Sequence, residues 1–329
     1  MRFSTYFLDL WQKQGLLTPD EQQRIQHYEQ NRAISVYWLL QMVLYIGLLL
    51  FTTGAGMLIY LNIDTIGHEA LIAALAVITM GCFYYVYRHR QPFSWGEVNH
   101  EGKFADIALL LACTLFLSLE GYVQWRYEIF GIRYGLATFM PAVLFLYLAY
   151  RFDHRGVLSM GLTALASWVG LSVAPLEVLS ANDFGNAHVI NTAVIFGVLV
   201  VGLALWLDTK GFKKHFTFTY LLLAGNLLFV AALAGMFSLP YWPVFGVVVG
   251  TGAWFFFRYA QRTRSFLFLL MAFVYGYIAV TYLVFKYMNN DLLVLFGTFY
   301  VAASAAVVIA FLLGYKKLLS PTEPPSVKP

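Results

Sequence analysis

From about residue 36 onwards the chain is a series of long apolar runs, each near the length of a membrane-crossing helix, separated by short polar connections. A helix rises about 1.5 Å per residue, so roughly 20 apolar residues cover a ~30 Å hydrocarbon core. Ten segments qualify, at approximately 36–61, 70–87, 104–123, 134–150, 156–179, 188–207, 215–236, 240–258, 265–285 and 291–314. The fourth is short and contains Pro141, which predicts a kink. The chain therefore reads as all-α: a polytopic membrane helix bundle of about ten transmembrane helices over 35–315. A short N-terminal cytosolic helical hairpin over 1–34 precedes it. The tail over 316–329, ending SPTEPPSVKP, is proline-rich without an apolar face and is expected to be disordered.

The first 34 residues have a different pattern. Phe3, Tyr6, Phe7, Leu10 and Trp11 recur at i, i+3, i+4, i+7 and i+8, one stripe of an amphipathic helix. Gly15 supplies a stop. Thr18 then offers an N-cap, Pro19 suits the first helical position, and Glu21 completes a T-x-x-E capping box. So short a helix has no core of its own. Phe3, Phe7, Leu10 and Trp11 are accordingly candidate contacts for the bundle, the membrane surface or a cytosolic protein partner.

The stretch LDLWQKQGLLTPDEQQRIQHYE, followed by a first apolar run ending GMLIYLNID, resembles the DUF2157 family of predicted bacterial membrane proteins. Members of that family open with a similar hairpin and usually close their first span before Asn-Trp-Asp; here Asn62-Ile63-Asp64 stands without the Trp. The resemblance is good over about the first 65 residues and general, in hydropathy, beyond them. It implies a fold type and no chemistry.

Composition agrees with a membrane location: 60% of the 329 residues are hydrophobic and 12% charged, against about 25% charged in a soluble domain. The first apolar run lies too far in for a cleaved signal peptide, so the first span is expected to act as its own insertion signal. Charge sets the threading. With the N-terminus in the cytoplasm, every one of the 21 Lys and Arg residues faces inwards except Arg126, Arg133 and Lys286. Asp64, Glu69, Glu120, Glu128, Glu177, Asp183 and Asp291 face outwards, which leaves the outer side negative and the inner side positive. The expected location is the bacterial inner membrane, multi-pass, with both termini cytoplasmic. Trp38, Trp125, Trp206 and Trp242 fall at span ends, where amphipathic rings prefer to lie. The basic residues are scattered over the connections, so they imply anionic lipid rather than nucleic acid.

No catalytic motif is present: no H-E-x-x-H, C-x-x-C, G-x-S-x-G or phosphate loop. Cys82 and Cys113 lie inside apolar runs as small packing residues, no metal cluster is apparent, and no cofactor can be assigned. Gly246 and Gly250, with Gly47, Gly54 and Gly56, and Gly197 and Gly202, predict close helix–helix packing. Polar groups in hydrocarbon are costly and usually paired or functional. Glu120, in LFLSLEGYVQW, and Glu177, in SVAPLEVLS, each sit near the outer end of a span. With Asp183 and His188 they are candidates for an ion or ligand site, against the plainer reading as interfacial groups reaching water. Asn226, near the middle of the seventh span, is a further candidate, more simply read as interhelical hydrogen-bonding glue. Three functions remain, in this order: a membrane-embedded binding, sensor or scaffold protein whose cytosolic hairpin is its contact surface; a small-solute or cation carrier with an acidic outer mouth; and an intramembrane or outer-face enzyme.

Overall fold

The computed structural model describes residues 67–98, 103–131, 134–173, 186–287 and 290–319, with Thr18, 20–22, Arg24 and scattered positions from 42 to 61. The chain divides into two compact units, Met1–Ala70 and Leu71–Pro329. In the first, the Thr18 amide donates to Glu21 Oε2 at 2.9 Å and the Glu21 amide donates to Thr18 Oγ1 at 3.4 Å. That is the reciprocal capping box expected there. The Thr18 amide and hydroxyl hold the Glu21 carboxyl below its ordinary value. Phe3, Phe7, Leu10, Trp11 and residues 320–329 of the tail lie outside the described residues, while 316–318, expected to be disordered, are helical.

Among the described residues nine long helices follow: α1 His68–Arg88, α2 Lys103–Tyr127, α3 Tyr134–Phe152, α4 Arg155–Val173, α5 Ala187–Lys210, α6 Thr217–Ser238, α7 Trp242–Thr263, α8 Phe266–Tyr287 and α9 Asn290–Leu318. Among the described residues there is no strand. Each helix covers one of the last nine apolar runs; the first run, 36–61, is described only at scattered helical positions. Among the described residues, six are long and apolar enough to cross a membrane: α1, α2, α3, α5, α6 with the turn before it, and α8. The chain is thus a multi-pass helical protein. Pro141 does not interrupt α3; packing against neighbouring helices lets a membrane helix carry a proline.

The apolar faces point two ways. Along α6 buried positions run right round the helix, and 56% of its most apolar window is buried against 11% for α1. α6 is therefore the centre of the second unit, and α1 presents most of its surface outwards. The exposed Val77, Tyr84, Ile107, Leu199 and Val247 are what a lipid-facing surface requires.

Within the core, two antiparallel pairs are drawn tight by glycine. A Cβ on Gly161 of α4 would stand 3.0 Å from the backbone nitrogen of Leu146 on α3, and one on Gly197 of α5 would stand 3.0 Å from Leu228 Cβ on α6. Gly197 thus performs the close packing expected of it. Gly246 and Gly250 do not: among the described residues, nothing lies within 4 Å of a Cβ at either, nor at Gly202. The reason is angular. The buried stripe of α7 is Phe245, Val249, Phe256 and Ala260, and each residue turns the helix by about 100°, so Gly246 and Gly250 fall beside the stripe and border an apolar groove against α8.

Candidate functional site

The hairpins α3–α4 and α5–α6 are joined at one end by a buried ion cluster. The turn between α3 and α4 puts Asp153 in the left-handed region at φ 55°, a conformation Asp tolerates better than most residues. His154 Nδ1 accepts the Val157 amide at 3.1 Å and so starts α4. The turn between α5 and α6 begins with Gly211 at φ 77°, whose amide donates to Asp208 O at 3.1 Å. Two residues on, Lys213 also has positive φ, 44°, strained for a side chain of this kind by about 1 kcal/mol. The strained backbone aims its ammonium inwards. Lys213 Nζ donates to Asp153 Oδ1 at 2.7 Å, and His215 Nε2 meets the same oxygen at 2.5 Å. The side chains of Lys213, Asp153 and His215 are 1%, 4% and 8% exposed.

The connection between α1 and α2 closes over this cluster as a strap. The Val98 amide donates to Asp153 Oδ2 at 2.6 Å, the Lys213 amide donates to Trp95 O at 3.1 Å, and Lys213 Nζ reaches Gly96 O at 3.4 Å. Arg151 donates to Gln91 O, and Arg155 pairs with Glu97 at 2.6 Å. Phe93, Trp95 and Phe212 form an aromatic run over the top, with the Lys213 ammonium 5.5 Å from the Phe93 ring centre. Burial alone raises the Asp153 carboxyl, but the hydrogen bonds from Lys213, Val98 and His215, and the charge of His215, outweigh it and hold the group below its ordinary value. Beside the cluster, Tyr150 of α3 and Tyr220 of α6 share a hydroxyl contact of 3.0 Å, and Tyr150 meets Phe216 edge to face.

At the opposite end of the same four helices the packing opens. A cavity of about 580 Å³ is lined by Thr138 of α3, Thr163, Ser167 and Gly170 of α4, Ile190, Ala193 and Phe196 of α5, and Leu227, Ala231 and Ala234 of α6. Its size falls in the ordinary range for small-molecule sites. Of its four hydroxyls, those of Thr138 and Ser167 bond back to their own helices, to Gly135 O at 3.0 Å and Thr163 O at 2.9 Å, and the rest of the lining is apolar. The wall therefore asks for an apolar occupant.

The candidates read from the sequence are dispersed. Glu120 stands on α2, half-buried, with Oε1 finding no hydrogen-bond partner among the described residues. Glu177 and Asp183 lie outside the described residues. His188 is exposed in the first turn of α5, its amide held by Asn186 Oδ1 at 2.7 Å. Asn226 has both ends of its amide engaged: Nδ2 donates to Leu222 O at 2.7 Å, and Oδ1 accepts the Tyr275 hydroxyl of α8 at 2.8 Å. Among the described residues, no group of three or more His, Cys, Asp or Glu could hold a metal ion. Asp153 and His215 were not singled out by the sequence, and Lys213 entered only as a topology marker. The available signal was a single acid between Arg151 and Arg155 in one turn, facing a Lys-Lys-His run in another.

No curated protein and no solved structure matches the chain. A family model does, described as predicted membrane protein (DUF2157), and it covers residues 9–158. That stretch runs well past the opening hairpin, through α1, α2 and α3 to the start of α4, and includes the strap and Asp153. Over residues 9–158 the chain is thus similar to DUF2157, a family described as predicted membrane proteins.

Proposed function

We propose that this chain is a membrane-embedded binding protein that takes a lipid acyl chain into the cavity between α3–α4 and α5–α6. The cavity itself carries the reading: about 580 Å³ of apolar space walled by α4 and by three helices, α3, α5 and α6, that have the length and composition to cross a bilayer. Acyl chains are the ligand such helices meet at high local concentration, and a lining that is apolar except for four hydroxyls suits them. With the threading set by Lys and Arg, both termini and the Asp153 cluster lie on the cytoplasmic side of the bacterial inner membrane and the cavity lies in the outer half. The cytosolic hairpin, with Phe3, Phe7, Leu10 and Trp11, is then the surface that reports occupancy to a protein partner.

Photolabelling with a phospholipid bearing a diazirine on its acyl chain tests this, using purified protein in lipid nanodiscs and mapping by mass spectrometry. Labels should concentrate on cavity residues and fall severalfold in Ala193→Trp, which fills the space, but not in Val247→Trp on the exposed face of α7. Labels confined to outward faces and indifferent to Ala193→Trp would overturn the reading. Deleting residues 1–34 should leave the bundle inserted and remove any co-purifying cytosolic partner; retention of the same partners contradicts the assigned role of the hairpin. The carrier reading is separated by solute flux in vesicles, which an acyl-chain binding protein does not support.

A further inference from the structure

The clamp and the cavity occupy opposite ends of the same two hairpins. Asp153 closes the α3–α4 turn and lies 15 residues beyond Thr138 at the cavity, which is about 22 Å along a helix. Lys213 and His215 close the α5–α6 turn and stand at a comparable remove from Ala231. Each hairpin is internally rigid, because Gly161 and Gly197 bring its two helices to backbone contact. Among the described residues, the Asp153 cluster and the Tyr150–Tyr220 hydroxyl pair tie the two hairpins together at the clamp end.

We infer that the Asp153–Lys213–His215 cluster is a pivot, which fixes the two hairpins to each other at one end and thereby sets how far apart they stand at the cavity. Two stiff arms clamped at one end change their separation most at the other, where the chain passes from α4 to α5 through residues 174–185. A buried ion pair suits a fixed joint, because sliding it apart leaves a charge unpaired in an apolar site. The strap adds a handle. It holds Asp153 through the Val98 amide and Lys213 through the Trp95 and Gly96 carbonyls, so a force on the α1–α2 connection acts directly on the joint. This inference rests on the acyl-chain reading only for what the cavity holds; the mechanical coupling stands apart from it.

Spin labels on Leu136→Cys, near the cavity end of α3, and Ser238→Cys, at the end of α6, report the separation by electron–electron double resonance. Cys82→Ala removes the half-buried native thiol, and Cys113 is buried. With the clamp intact, one narrow distance distribution is expected. In Asp153→Asn/Lys213→Met, which removes both charges and leaves neither unpaired, the distribution should broaden or shift by several ångströms while helical content is kept. His215→Gln, which deletes one donor only, should produce a smaller change of the same kind. An unchanged distribution in a folded double variant would overturn the pivot, as would broadening in His215→Gln alone. If the distance responds but acyl-chain photolabelling of the intact protein fails, the pivot stands and the binding reading falls. If photolabelling succeeds and the distance does not respond, the reverse holds.

Discussion

Asp153 shows how much one carboxylate can organise. It accepts from Lys213, His215 and the Val98 amide, and so joins two interhelical turns and a strap. Removing one partner of a buried pair costs about 3–5 kcal/mol, whereas removing both charges together is often close to neutral. Asp153→Asn should therefore lower the unfolding temperature more than Asp153→Asn/Lys213→Met does, measured by differential scanning fluorimetry in detergent; a double variant less stable than the single one contradicts the pairing. Because the folded carboxyl titrates below its unfolded value of about 3.9, its contribution is complete above that pH and fades as pH falls through the lower folded value. The stability advantage of the intact protein over the double variant should be flat from pH 7 to 5 and shrink only below about pH 4. An advantage that disappears between pH 7 and 5 would contradict the assignment. Beyond the lone acid between Arg151 and Arg155, the pairing was not legible in the sequence, because Asp153 and Lys213 are 60 residues apart and hydropathy weighs a loop lysine the same whether it is buried or solvated.

The helices themselves could be read from the sequence with small error, since a run of apolar residues ended by charged turns fixes both the identity and the length of a helix. What each helix faces could not. A hydrophobic residue serves equally against lipid or against another helix, so Gly246 and Gly250 looked like a packing motif although Phe245 and Val249 take the buried side. The consequence is measurable. Gly197→Val forces a side chain against the backbone of Leu228 and should destabilise by about 1–3 kcal/mol. Gly250→Ala meets open space and should be neutral or slightly stabilising through helix propensity. Unfolding of the two variants in the same detergent decides it, and a larger loss in Gly250→Ala would mean that this face is occupied in the intact protein. Asn226 is the intermediate case: an amide in the middle of an apolar run signals a hydrogen bond across helices, but only the folded chain names Tyr275 as the partner.

Across the whole molecule, the hydropathy pattern pointed to the multi-pass helical architecture, and the opening hairpin pointed to the family whose model spans residues 9–158. The cavity was invisible at that level, because its lining is drawn from four helices and consists of small and aliphatic residues, with Phe196, that are ordinary in any span. Its existence depends on geometry: two hairpins zipped by glycine, clamped at one end, and left apart at the other. The most direct measurement is a cryo-electron microscopy reconstruction of the full chain in lipid nanodiscs. Elongated density lying between Ala193, Thr163 and Ala231, above an intact Asp153–Lys213 contact, is the expected result. The four helices packed shut over that space, or the space open to water and without chain-like density, would contradict the account.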